Sequence, residues 1–261
     1  MKRTYVKLLT VAGLTGCFLF TSCRSAQETT ARYEISKVEG NMITIDSTWD
    51  ANPDNKATTV LTPYKDKVDA MLSEVIGTSE MKMDKGTPES LLSNLVASVL
   101  QEAAAQVLGK PADMGLVNMG GLRNILPKGD ITVGAVFEIL PFENSLCVLT
   151  MKGTDMKRLF KAIASLHGEG VSGIRLEINK KGELLNATIG GKPVVDDQLY
   201  TVATIDYLAD GNGRMDAFLQ AEKRECPEDA TLRGLFLDYV RKQTAEGKII
   251  TSKLDGRITV K

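Results

Sequence analysis

The segment TPESLLSNLVASVLQEAAAQVLG, residues 87–109, decides the fold class. Leu91, Leu92, Leu95, Val96, Val99, Leu100 and Val107 recur at helical spacing, which predicts one long helix with a broad apolar stripe. Thr87-Pro88-Glu89 offers a capping residue and a proline suited to the first helical position, and Gly109 a stop. A helix this apolar needs a sheet or a second helix against it. Sheet candidates follow directly. Leu116-Val117, Ser145 to Met151, Gly173 to Ile178, Glu183 to Ile189 and Leu199 to Asp206 are short β-prone runs, several bounded by turns such as Asn179-Lys180-Lys181-Gly182 and Gly190-Gly191.

Other helices surround these strands. Thr62-Pro63 predicts the start of an earlier helix in which Tyr64, Val68, Met71, Leu72 and Val75 share a face until Gly77. Asp155 to Ser165, capped by Thr154, carries Met156, Leu159, Phe160 and Ile163 on one side. A last helix covers Thr231 to Thr244 and stops at Gly247; Lys248 to Val260 then closes as a hairpin around Asp255-Gly256. Near the start, Tyr33 to Glu39 and Met42 to Ile45 alternate about Gly40, which reads as another hairpin, and Trp49 to Lys56 is rich in turn formers and reads as a loop. Strands and helices mix without strict βαβ alternation. The predicted class is therefore α+β with a mixed or antiparallel sheet, in one domain from residue 33 to 261 and without internal repeats.

Composition narrows the chemistry. At 261 residues, 43% apolar and 25% charged, the chain can bury a sizeable core, which excludes wholesale disorder. His167 is its one histidine, so neither a dinuclear metal centre nor a His-rich zinc site can be built from this polypeptide alone. The net charge of -1 supplies no drive toward nucleic acid.

Residues 1–22 read as an export signal: Lys2, Arg3 and Lys7 precede an apolar run from Leu8 to Phe20 that is too short to span a bilayer. Thr21-Ser22-Cys23 resembles a bacterial lipobox, which makes Cys23 the expected lipidated N-terminus and the membrane anchor. Leu14-Thr15-Gly16-Cys17 fits the consensus more closely, but cutting there shortens the apolar run and strands Phe18-Leu19-Phe20 on the mature chain. Cleavage at Cys23 removes three basic and no acidic residues, taking the net charge from -1 to -4. Residues 23–32 are polar and without period, a tether. Export permits a disulfide between Cys147 and Cys226; the apolar setting Leu146-Cys147-Val148-Leu149 instead predicts a buried, unpaired thiol.

Catalytic templates fail. Gly170-Val171-Ser172-Gly173 lacks the last glycine of a nucleophile elbow, since position 174 is Ile174, and His167 reads as a loop residue. Asp210-Gly211-Asn212-Gly213-Arg214 opens like a calcium loop, but Ala221 stands where the closing glutamate belongs. Asn118-Met119-Gly120-Gly121-Leu122-Arg123 matches no phosphate loop. It reads as a tight turn, or as a strand end that offers an amide, open backbone and a guanidinium to one polar ligand group. Phe142 and Tyr207 fall at strand-to-loop junctions, where rings either plug the core or face a cleft and stack on a flat ligand.

Taken in order, Glu89 to Ala97, Asn118 to Arg123, Gly129-Asp130-Ile131-Thr132, Leu140-Pro141-Phe142-Glu143-Asn144, Gly173-Ile174-Arg175 and Tyr200 to Gly211 resemble the C-terminal domain of the 5'-nucleotidase and UDP-sugar hydrolase family, over residues 60 to 245. The resemblance implies a nucleoside-recognition domain, with hydrolysis and divalent metals on a separate N-terminal metallophosphoesterase domain. It implies that Phe142 and Tyr207 occupy the two base-stacking positions and that Asn118 and Arg123 contact base or sugar-phosphate; Gly120, Gly121, Asn144 and Asp210 complete the expected substrate-binding set. No catalytic residue, metal ligand or cofactor is expected in this chain. The expected partners are a nucleotide or nucleoside ligand and a separate metallophosphoesterase chain. Two departures stand out. Gly213 sits where the family's ribose-binding aspartate belongs, with Asp210 or Asp216 as substitutes, and Pro88 replaces an arginine, with Lys85 the nearest cation. They motivate the alternative of a degenerate envelope lipoprotein with structural or interaction duties and no nucleotide binding.

Overall fold

The long apolar stripe becomes a helix packed on a five-stranded sheet in a computed structural model that describes residues 34–261. In chain order the elements are α1 (Asn55–Leu72), β1 (Val75–Ser79), α2 (Leu91–Ala103), α3 (Ala105–Leu108), β2 (Met114–Val117), β3 (Gly129–Thr132), α4 (Val133–Ile139), β4 (Leu146–Lys152) and α5 (Gly153–Ser165). There follow β5 (Gly170–Ser172), β6 (Ile174–Ile178), β7 (Leu184–Ile189), β8 (Lys192–Pro193), β9 (Leu199–Ile205), α6 (Asp206–Ala209), β10 (Lys223–Glu225), α7 (Leu232–Ala245) and β11 (Ile258–Val260). The central sheet runs β10-β4-β9-β2-β5 and is antiparallel except for the β2/β9 pair. A second sheet, β11-β6-β7-β8, is antiparallel except for β11/β6, and β1 pairs with β3. The class is α+β with mixed sheets, as predicted.

Helix α2 buries Leu92, Leu95, Val96, Val99 and Leu100 against strands that are themselves apolar, β2 being buried at every position. The approach is close enough to dictate a residue: a Cβ on Gly115 would lie 2.2 Å from the Ala97 carbonyl oxygen and 2.5 Å from Ser172 Oγ. Only glycine lets helix and sheet meet there.

Several expectations are corrected. Helix α1 starts at Asn55, because Asp54 accepts from the amides of Lys56 and Ala57, so the predicted 49–56 loop is cut short and Pro63 lies inside the helix. Helix α2 starts at Leu91, capped by Ser90, and follows a cis Thr87–Pro88 bond. Glu89 is drawn elsewhere: its carboxylate accepts from the amides of Asp255, Gly256 and Arg257 and from Asn94 Nδ2. That grip replaces the predicted closing hairpin, since it hands residues 258–260 to β6 as a parallel edge strand. Helix α5 begins at Gly153 without a side-chain cap, which puts Thr154 inside it.

Residues 34–45 form no strand, and Ile35, Val38, Met42, Ile43 and Ile45 are exposed. Two short strands with nothing to cover them are marginal in water. Tyr33, the export signal, Cys17, Cys23 and the 23–32 tether lie outside the described residues. Finally, Cys147 is not a free thiol but is joined to Cys226. Strand β10 pairs Glu225 with Val148, so the next residue falls opposite Cys147, and the register brings together two cysteines 79 positions apart.

Candidate functional site

Strand β2 ends in Asn118, and the chain then tightens into a 3₁₀ turn, Met119–Gly121. Parallel to β2, strand β9 ends at Ile205 and delivers Tyr207 in the first turn of α6. A third segment, Leu140 to Asn144, leads into β4 on the other side of β9. Asn118, Gly120, Gly121, Phe142, Asn144 and Tyr207 thereby line one cleft of about 360 Å³. Both rings are reachable from solvent: Phe142 is 49% and Tyr207 44% exposed. The wall is apolar where the rings stand and polar at the two asparagines. A flat heterocycle with hydrogen-bonding edges suits such a lining.

Arg123 stands beside this cleft. Its guanidinium carbon lies 5.8 Å from the centroid of the Phe142 ring, and Nη1 donates to the Gly120 carbonyl at 3.2 Å. Asp210 is placed differently. Its carboxylate accepts from Arg224 Nη1 at 2.6 Å and does not line the cleft.

Residues not singled out from the sequence hold the lining in position. Asp206 Oδ1 accepts from Asn144 Nδ2 at 3.0 Å and from the Tyr207 amide at 2.7 Å, tying two cleft segments to one carboxylate. Arg233 is buried, donates to the Leu140 carbonyl at 3.1 Å, pairs with Glu143 and lies over the Phe137 ring. It thus props the loop on which Phe142 stands. Lys85 Nζ donates to the Leu122 carbonyl, and the Met119 amide donates to Glu169. Burial pushes the Glu169 carboxyl up to about 6, against the opposing pull of that amide. Asp206 had a visible signal in its place beside Tyr207; Arg233 and Glu169 had none.

Among the described residues no three His, Cys, Asp or Glu side chains converge as a metal ion would require. The cleft offers amides, rings and a nearby guanidinium, which are groups for holding a ligand rather than for activating water.

Comparison with known proteins identifies the family. The chain is 28% identical over 188 residues to endonuclease YhcR of Bacillus subtilis, covering 69% of this chain and 15% of that protein. It is 27% identical over 240 residues to cell wall protein Lmo0130 of Listeria monocytogenes, covering 81% of this chain and 30% of that one. Among solved structures, a 5'-nucleotidase precursor from Thermus thermophilus superposes with a TM-score of 0.66 at 26% identity, covering 81% of this chain and 44% of that chain. The chain thus spans less than half the length of each. The family model for the 5'-nucleotidase C-terminal domain matches residues 75–220, more than half of the sequence and every residue lining the cleft. The chain belongs to the 5'-nucleotidase C-terminal domain family.

Proposed function

We propose that this chain recognises a nucleotide or nucleoside in the Phe142/Tyr207 cleft and presents it to a metallophosphoesterase centre carried by a separate chain. The carrying observation is that two half-exposed rings and two asparagine side chains, separated in sequence, line one cleft. The base stacks on Phe142 and Tyr207, the amides of Asn118 and Asn144 meet its edge or the sugar, and Arg123 takes the phosphate end. The metals and their ligands belong to the partner, since a sequence with one histidine cannot supply a histidine-rich dinuclear centre.

Of the two substitutes for the missing ribose-binding aspartate, Asp210 is occupied by Arg224, whereas Asp216 is exposed and makes no hydrogen bond among the described residues. Asp216 is therefore the better candidate. Export and anchoring through Cys23 complete the proposal: the signal-like first 22 residues, the Cys147–Cys226 disulfide and the cell wall relative all suit an oxidising compartment outside the cytoplasm.

Calorimetry with adenosine and AMP tests the reading. Both are expected to bind the purified chain, and Phe142→Ala to weaken them by roughly 1–3 kcal/mol, the worth of one stacked face. Gly213 at the aspartate position favours a second reading, a decayed cleft on an envelope lipoprotein. Absence of heat with either ligand, with no rise in melting temperature, would establish that one.

A further inference from the structure

We propose that Glu169 is a positioning residue for the cleft: from the loop that enters the neighbouring strand its carboxylate holds the first amide of the Met119–Gly121 turn, and so fixes the turn on which Asn118, Gly120 and Gly121 meet a ligand. The inference rests on the reading of this cleft as a ligand site. It begins with strand register. Strands β2 and β5 are antiparallel, with Gly115 opposite Ser172, Leu116 opposite Val171 and Val117 opposite Gly170. There the ladder stops, and the next two residues, Asn118 and Glu169, face one another across its end.

The turn that follows has a need. Its first amide, Met119 N–H, has no acceptor within the turn. Glu169 supplies one from outside it. Asn118, at the capping position, makes no side-chain capping bond, and its side-chain amide takes part in no hydrogen bond among the described residues. It lies over Gly121, where a Cβ would come within 2.9 Å of Asn118 Oδ1, and lines the cleft. An asparagine without an internal partner, on a turn held still from outside, is available to a base or sugar.

Glu169 is itself held in place. Gly168, at φ 119°, backs onto Pro88 so closely that a Cβ would lie 2.3 Å from its carbonyl oxygen, and its amide donates to Ile163 O at 3.1 Å. Lys85, Arg123, Arg257 and Glu89 are each engaged elsewhere: Lys85 on Leu122 O, Arg123 on Gly120 O, Arg257 on the carbonyls of Asn94 and Val171, and Glu89 on the 255–257 amides. Among the described residues no cation pairs with Glu169. It is a largely buried carboxylate that lacks a salt bridge, is disfavoured by its surroundings, and has one polar contact, the turn that floors the cleft.

The test compares the parent chain with Glu169→Ala and Glu169→Gln, reading adenosine affinity, exchange of the Met119 to Gly121 amides and thermal melting near pH 8. Glu169→Ala is expected to weaken adenosine roughly tenfold and to speed Met119 exchange, without lowering the melting temperature. Glu169→Gln, which keeps an acceptor oxygen, restores both. Unchanged affinity and exchange in Glu169→Ala would overturn the proposal; so would a loss of affinity that merely tracks a loss of melting temperature. Should the parent fail to bind adenosine, the nucleotide reading falls by itself. The hold on the turn is then judged by exchange alone: faster in Glu169→Ala sustains it, unchanged refutes it.

Discussion

Replacing Glu169 with glutamine should make the protein more stable at neutral and alkaline pH, and not in acid. The carboxyl titrates near 4.5 when unperturbed and at about 6 in the fold, chiefly because burial disfavours the charge. A folded value above the unfolded one means that the native state holds its proton more tightly. The sign follows: below about 4.5 both states are protonated and nothing is lost, whereas above about 6 both are ionised and the native state bears the full desolvation penalty. The difference between the two values corresponds to about 2 kcal/mol. Stability due to this group therefore drains away as the pH rises from about 4.5 to about 6. Glutamine has no proton to lose and keeps an oxygen for the Met119 amide. Urea unfolding at several pH values should show the variant matching the parent near pH 4 and exceeding it by about 2 kcal/mol at pH 8, or several degrees in melting temperature. Other titrating groups, such as Asp255, contribute equally to both proteins and cancel in the difference. Stability curves that run parallel across the whole range would refute the reasoning.

Two further perturbations probe the frame that carries the cleft. Cys226→Ser opens a covalent loop 79 residues long, and loop-closure entropy assigns that link about 4.5 kcal/mol; unfolding with and without reductant should show the parent falling to the level of the variant, which reductant leaves unchanged. Gly115→Ala forces a methyl against the Ala97 carbonyl and Ser172 Oγ, and should lower the urea midpoint by an amount equivalent to about 1–3 kcal/mol; a shift within experimental scatter would mean that α2 can ride up on the sheet at no cost.

The elements legible in the sequence are those whose local signal and tertiary setting agree. Strands β2, β4, β6, β7 and β9 lie within a residue or two of their expected bounds because each is a short apolar run closed by turn residues. The expectations that failed did so where a local signal met a competitor elsewhere in the chain. Pro63 suits a first helical turn, but Asp54, nine residues earlier, already caps the helix. Asp255-Gly256 suits a hairpin turn, but the Glu89 carboxylate, over 160 positions away, binds its amides and turns the chain toward β6 instead. Cys147 sits in an apolar run like any core cysteine, and only the register of a three-residue edge strand reveals its partner. In the last two cases the deciding contact is long-range, and no window of local sequence contains it.

The same division runs through the site, and it separates what meets a ligand from what holds that surface in shape. Phe142, Tyr207, Asn118 and Asn144 could be named in advance because they fall within motifs that resemble the family; their residue types alone left a core plug and a plain turn equally open. Their supports are conspicuous only in three dimensions. Asp206 reaches Asn144 across 62 positions, Glu169 reaches Met119 across 50 and Arg233 reaches Glu143 across 90. Each is a charged side chain at least partly withdrawn from water whose partner is backbone or side chain of a cleft segment. Charges in such places are unfavourable unless something is returned for them, and a single hydrogen bond returns little to the fold. Under the proposed function, what they provide is rigidity at the few positions where a half-ångström displacement would separate two rings from a shared ligand. Glu169→Ala is the substitution that should weaken binding without lowering the melting temperature, a pairing that a purely structural role for the carboxylate would not show.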